Sequence, residues 1–388
     1  MKKAWPKVRL GEVLVHRKEF IQIDDLTSYK RPRVQLHAQG IVLRDEVPGA
    51  LIKTKKQQVC RAGDFLVAEI DAKVGGFGIV PKSLEGAIVS SHYFLFEVNT
   101  EKLDRRFLDY FIRTPMFRDQ VEAQGSTNYA AIRPGHVLDY EMPLPHLDEQ
   151  RRLVAQIEEL AEQINDVKPL RQKARIETEA LCGARMSVIF RGLLSEGAVP
   201  LDTVCKLERG KFSHRPRNDP RFFGGNYPWI QIGEIEGSNK LIKSWSQTLN
   251  EEGLAISKLF PRGTVLISIA ATIGAVGILD FDCCIPDSIV GVTPEQDIDS
   301  EFMYYYLGFM RKNLEEIAPQ SAQKNINLKI LSVLPFPKIP LANQKKIVAE
   351  LDILQAATDD LVQVQAEEAV ELDALIPAIL DRAFNGEL

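Results

Sequence analysis

At 388 residues, with 45% hydrophobic and 26% charged side chains, the chain is too long for one ordinary core and too apolar to be disordered. Its formal charge of −5 argues at first against a nucleic-acid partner, but that charge is unevenly spread: residues 341–388 hold ten acids and three bases, a net of −7, so the rest of the chain sums to +2. Local clusters govern phosphate attraction, because charges beyond about 8 Å are largely screened at physiological salt.

In chain order, Met1-Lys2-Lys3-Ala4-Trp5-Pro6 has two lysines with no apolar run behind them, so no signal peptide is expected. Phe65-Leu66-Val67-Ala68, Ile88-Val89 and Tyr93-Phe94-Leu95-Phe96 read as strands punctuated by glycine and proline. Residues 103–117 read as a helix carrying Phe107, Tyr110 and Phe111. Pro143 and Pro145 then stop the globule, and a long helix is expected after them, with Asp148 offering the kind of side chain that N-caps use. The most apolar stretch, residues 265–279, is shorter than the roughly 18 residues a spanning helix needs and is interrupted by Gly274 and Gly277. It reads as buried strand and turn, and a cytoplasmic location is expected. Pro337 and Pro340 precede a second long helix, where Asn343 is the cap-like residue. The scattered Cys60, Cys182, Cys205, Cys283 and Cys284 fit reduced thiols, and with dispersed histidines they predict no metal site.

The chain is written twice. Val8-Arg9-Leu10-Gly11-Glu12-Val13 has its counterpart in Val199-Pro200-Leu201-Asp202-Thr203-Val204, and Arg61-Ala62-Gly63-Asp64-Phe65-Leu66-Val67 in Pro261-Arg262-Gly263-Thr264-Val265-Leu266-Ile267. Residues 72–80 answer to 271–279, and 103–117 to 298–312. Clearest is Pro143-Leu144-Pro145-His146-Leu147-Asp148-Glu149-Gln150-Arg151-Arg152-Leu153-Val154 against Pro337-Lys338-Ile339-Pro340-Leu341-Ala342-Asn343-Gln344-Lys345-Lys346-Ile347-Val348. Residues 188–193 align with 379–384, and the offset drifts between 191 and 200 as insertions would produce. The predicted organisation is a globule over 1–145, a helix over 146–194, a second globule over 195–340 and a second helix over 341–388. Along the helices, Leu153, Ile157, Leu160, Ile164, Val167 and Leu181, then Ile347, Leu351, Leu354, Leu361, Leu372, Leu375 and Ile379, mark an apolar seam spaced as in a coiled coil. Pro169 and Pro377 are expected to kink or interrupt it.

The proline stop followed by Leu-Asp-Glu-Gln-Arg-Arg-Leu-Val, its echo Leu-Ala-Asn-Gln-Lys-Lys-Ile-Val, both openings, the Gly-Asp-Phe-Leu and Gly-Thr-Val-Leu strands and the ending Ala383-Phe384-Asn385-Gly386-Glu387-Leu388 resemble specificity subunits of type I restriction-modification systems over nearly the whole chain. The resemblance implies an α+β fold. Two strand-rich target-recognition domains are each followed by a long helix, and the helices pack as an antiparallel coiled coil with pseudo-two-fold symmetry. It further implies a non-catalytic protein reading a bipartite, asymmetric site on double-stranded DNA. The helices would hold the readers a fixed distance apart and dock two modification (methyltransferase) subunits. S-adenosylmethionine would belong to those partners, and ATP and Mg to partner restriction subunits, with no cofactor in this chain. The second stop departs from the first, with Ala342-Asn343 in place of Asp148-Glu149.

Lysine and arginine supply phosphate affinity, and polar side chains reaching base edges supply sequence choice. Candidates in the first half are Arg31, Arg33, Lys53, Lys55, Lys56 and Lys73, with the polar run Ser126, Thr127, Asn128 and Tyr129. In the second half they are Arg209, Lys211, Arg215, Arg217, Lys240 and Lys243, with Gln320, Ser321, Gln323, Lys324 and Asn325 at nearly the same repeat position. Neither an amino-methylation motif nor a phosphate loop occurs. Glu69-Ile70-Asp71-Ala72-Lys73 has the spacing of a nuclease carboxylate-x-Lys pattern, but its counterpart near Ala271-Thr272 lacks both charges. The rival classes are a scaffold with duplicated protein-binding domains, and a DNA-modifying enzyme with an unfamiliar site.

Overall fold

Two glycine turns explain why the repeat folds the same way twice. In the computed structural model, which describes residues 5–122, 132–214, 216–318 and 325–388, Gly63 and Gly263 both adopt positive φ, +90° and +85°. Any other residue would be strained there. Each turn launches the central strand of a sheet, Phe65–Ala68 in one globule and Val265–Ser268 in the other. Both strands are wholly buried, as continuous apolar runs require.

In the first globule Phe65–Ala68 lies antiparallel between Phe77–Ile79 and Tyr93–Val98, and the latter pairs with Leu14–Arg17. In the second, Val265–Ser268 lies antiparallel between Val276–Leu279 and Ile289–Pro294, and the latter pairs with Cys205–Arg209. The four-strand order is the same; the second sheet adds a parallel edge strand, Leu241–Ile242. A helix packs on each sheet, capped at Asp104 or Asp299, whose carboxylate accepts two backbone N–H bonds. The expected helix over 103–117 divides into Arg105–Phe111 and Pro115–Glu122, because proline disfavours helical backbone at Thr114. Its counterpart has no proline there and runs unbroken over Ser300–Ile317.

Between the first frame strand and the central one, the globules part company. The first carries the hairpin Ser28–Val34 with Ile41–Pro48 and the strands Phe20–Gln22 and Lys56–Val59, which pair on toward Ile88–Val89. The second carries Phe223–Trp229, antiparallel to Gln247–Leu249 and parallel to Cys283–Cys284. These segments account for the rise in repeat offset before the central strands.

The long helices span Leu147–Glu196 and Leu341–Phe384 and continue through Pro169 and Pro377, which do not interrupt them. Both begin earlier than a cap at Asp148 or Asn343 would have it. The Glu149 and Gln150 N–H groups donate to the His146 carbonyl, and those of Asn343 and Gln344 to that of Pro340. The compact units do not follow the expected globule–helix borders. One comprises Met1–Gln172 with Ala366–Leu388, the other Lys173–Gln365, so the division cuts both helices. Within the first unit Lys168 meets Asp373 (2.6 Å) and Arg171 meets Glu368 (2.9 Å). Within the second Arg185 meets Glu350 (2.5 Å) and Gln365 donates to Thr178 (3.2 Å). Rising numbers face falling ones, so the paired stretches are antiparallel in each unit.

Each core takes side chains from both helices. Leu153, Val154 and Ile157 join Leu380, Ala383 and Phe384 in the first, and Phe190 joins Val348 and Leu351 in the second. Of the expected seam, Leu153, Ile157, Ile164 and Leu351 are buried, and Leu160, Ile347, Leu354, Leu372 and Ile379 are half-buried. Val167, Leu181, Leu361 and Leu375 are exposed, at 38–49%. Heptad spacing registers periodicity but not where a globule covers the helix. The structure also corrects the repeat register at the helix ends. Phe384 packs on Phe107 and Phe111 (ring centroids 4.8 and 5.4 Å), as Phe190 packs on Phe302 and Tyr306 (5.4 and 5.8 Å). Phe190 therefore matches Phe384, at the same offset as Gln150 and Gln344, rather than residues 188–193 matching 379–384.

Candidate nucleic-acid interface

The repeated glutamine of the proline-stop motif is a latch. Gln150 is fully buried; its Oε1 accepts from the Asp104 N–H (2.8 Å) and its Nε2 donates to the carbonyls of Lys102 and Pro145. Gln344 repeats this, accepting from the Asp299 N–H (2.8 Å) and donating to the carbonyls of Asp297 and Ile339. Every amide group of each side chain is thus occupied inside its own unit, fixing long helix to capped helix. The motif that carries the resemblance is architectural.

The cations gather elsewhere. In the first unit Arg31 forms a two-pronged pair with Asp45 (2.7 and 2.8 Å) on the divergent hairpin, holding the Asp45 carboxyl below its ordinary value. Arg33 is exposed on the same strand. Lys53 is exposed, Lys55 bonds Asp25 (2.5 Å) and the Gly49 carbonyl (2.8 Å), and Lys56 lies over the Phe20 ring at 4.9 Å. Lys73 sits on the turn Asp71–Val74 beyond the central strand. The run Ser126, Thr127, Asn128 and Tyr129 lies outside the described residues.

In the second unit Arg209 ends a frame strand and donates to the Asp287 carbonyl, and Arg217 pairs with the Asp287 carboxylate. Lys211 and Lys243 are exposed. Lys240 is differently placed. It bonds Asp352 (2.6 Å) and Glu301 (3.2 Å) and lies over the Tyr305 ring, so its charge is met within the unit, where it ties the edge turn to two helices. Arg215, Gln320, Ser321, Gln323 and Lys324 lie outside the described residues. Asn325 bridges to Ala270.

The residues that follow the two polar runs meet the same place on the shared sheet. The Ile132 N–H donates to the Glu69 carbonyl (3.2 Å), and the Ile326 N–H to the Ile269 carbonyl (2.9 Å). Each acceptor lies one residue beyond the central strand. Arg209, Asp287 and Ser288 occupy that end in the second unit, since Arg209 pairs with Val290 and Ser268 with Ile289. In the first unit that end carries a cluster only half seen in the sequence. Glu69 accepts from Arg133 (2.6 Å) and contacts His92 Nδ1 (2.8 Å). The carboxylate read as a nuclease candidate therefore anchors the segment that follows the polar run. Among the described residues no cluster of His, Cys, Asp and Glu could hold a metal ion, and no helix is long and apolar enough to cross a membrane.

A frame used twice, with different cation-bearing insertions in the same interval of the repeat, is the form of a duplicated domain. Comparison with known proteins agrees. The model of the type I restriction modification DNA specificity domain matches residues 2–178 and again 198–372. The chain belongs to that family of non-catalytic specificity subunits, and its DNA-recognition role follows from membership. It is 28% identical to the HsdS subunit of Thermoanaerobacter tengcongensis, with a TM-score of 0.72 over 99% of this chain and 97% of that one. A chain from a structure on complex assembly and conformational transition of the type I R-M system is also 28% identical, with a TM-score of 0.76 over 99% and 98%. The specificity subunit of the Escherichia coli type I restriction enzyme EcoDI is 23% identical over 73% of this chain and 70% of its own.

Proposed function

We propose that each unit reads one half of a bipartite, asymmetric site on double-stranded DNA, and that the two long helices set the number of unread base pairs between the halves. The observation that carries this reading is the duplication itself: one four-strand frame, made twice, bearing unlike insertions in the same interval of the repeat. Identical readers would suit a symmetric site; unlike ones suit an asymmetric site. In this reading the helices also dock two modification subunits, which hold S-adenosylmethionine and methylate adenine. Restriction subunits, with ATP and Mg, complete a nuclease in the cytoplasm. The exposed apolar positions Val167, Leu181, Leu361 and Leu375 support such docking, since both helices leave them uncovered.

Modified-base sequencing of host DNA with and without the gene tests the proposal. The expected result is one two-part motif that vanishes with the gene. Replacing residues 1–140 by another recognition domain should then rewrite one half only, and adding one heptad to each helix, about 10 Å, should lengthen the spacer alone. A continuous motif, or a spacer indifferent to helix length, would overturn it.

A further inference from the structure

The second unit contains a cleft of about 420 Å³ whose lining includes Arg217, Asn218, Trp229, Gln231, Gln247 and Ser288. We infer that this cleft reads base edges in one half of the target, with Gln231 and Gln247 as specificity-determining residues and Arg217 beside them; the inference rests on the DNA-reading function proposed above.

Three features point to bases rather than phosphates. First, among the described residues the polar lining is mostly neutral amide and hydroxyl. Phosphate needs cations, whereas an amide presents a donor and an acceptor together, the pattern that adenine shows in the major groove. Gln231 Nε2 donates to Gln247 Oε1 (3.1 Å), and among the described residues the Gln247 NH2 takes no partner. Second, the one cation among the described lining residues is buttressed. Arg217 pairs with the Asp287 carboxylate, so the pair carries little net charge to draw a phosphate, while the guanidinium is held with donors left for an acceptor such as guanine N7 or O6. Third, the platform is rigid. Gln247 stands directly opposite Trp229 in the antiparallel register, and Trp229 pairs with Cys284 on its other side. Trp229 is only 4% exposed and packs on Phe212 at 5.1 Å. The Gln231 N–H is fixed by the Glu234 carboxylate (3.0 Å). Base readout depends on such fixed geometry.

The cleft also belongs to the strand end where the cations lie. The Ser288 carbonyl accepts from the Ile269 N–H (2.9 Å), one residue before the Ala270 bridge to Asn325. Apart from Pro286 and Ser288 it is lined by the second globule's own insertion, which the first globule does not share. A reader of an unlike half-site needs that difference.

The test is modified-base sequencing in a host carrying the whole system, with the wild-type chain, Gln231→Ala, Gln247→Ala or Gln247→Glu. All three substitutions fall on exposed side chains, and thermal melting of each purified variant checks the fold. Wild type should give the two-part motif; its absence would sink the proposed function and leave the cleft without a role. Given that motif, each alanine variant should lower discrimination roughly tenfold to a hundredfold at one or two positions of one half-site, the half that is kept when residues 1–140 are exchanged. Gln247→Glu, an acceptor only, should shift preference toward cytosine at the affected position. An unchanged motif, or a uniform loss of methylation with both halves as strict as before, would overturn the inference.

Discussion

The hairpin of the first unit and the amide-lined cleft of the second occupy the same interval of the repeat, between the first frame strand and the central one, and share no topology. Around them the frame barely differs: the same strand order, the same left-handed glycine, the same buried glutamine making the same three bonds. The contrast separates two kinds of constraint. The frame must present a strand end and join two helices, which fixes its turns and its latch. In the proposed function the insertion must match a particular sequence, which leaves it free to change fold while the frame stays.

If the frames are equivalent, matching substitutions should cost the same in both units. The largest effect is expected for the paired aromatics. Phe384→Ala and Phe190→Ala each empty a fully packed aromatic site and should cost about 3–5 kcal/mol. Hydrogen exchange should show the first loosening residues 105–111 and the second residues 300–317; loosening in both units by either variant would break the comparison. Next come Gln150→Ala and Gln344→Ala, each leaving a buried N–H and two carbonyls short of a partner, for about 2–3 kcal/mol in denaturant unfolding. Unequal costs would show that one latch has relaxed. The smallest effect belongs to the insertions. The Arg221 guanidinium, with its backbone N–H, holds half-buried Asp219 at a pKa of about 2. A depressed carboxyl favours the folded state above its ordinary value, and that contribution is lost as pH falls toward 2. Asp219→Asn should therefore lower the melting temperature slightly at neutral pH, and the gap from wild type should close in acid.

The duplication, the central strands and the long helices were legible because they rest on local rules: glycine turns, apolar runs and a repeated spacing. The helix-end register was misread because an arginine and several aliphatics align well at the wrong offset; only packing against Phe302 and Tyr306 identifies Phe190 as the partner of Phe384. Lys240 looked like a phosphate contact since its partners, Glu301 and Asp352, lie far along the chain. Gln231 and Gln247 gave no signal at all. Exposed glutamines are common, and only strand pairing sets these two together. The insertions hide from periodicity because their strands are short and partly polar.

The interleaving of the helices has a consequence for how the protein is made. The first globule leaves the ribosome with Phe107 and Phe111 lacking the partner that closes their core, and Phe384 is translated only after the entire second globule. The second unit has no such wait beyond residue 365, the limit of its own compact set. During synthesis the order of completion is therefore inverted: the half that is started first is sealed last, and a chain ending at residue 365 carries one complete unit and one open one.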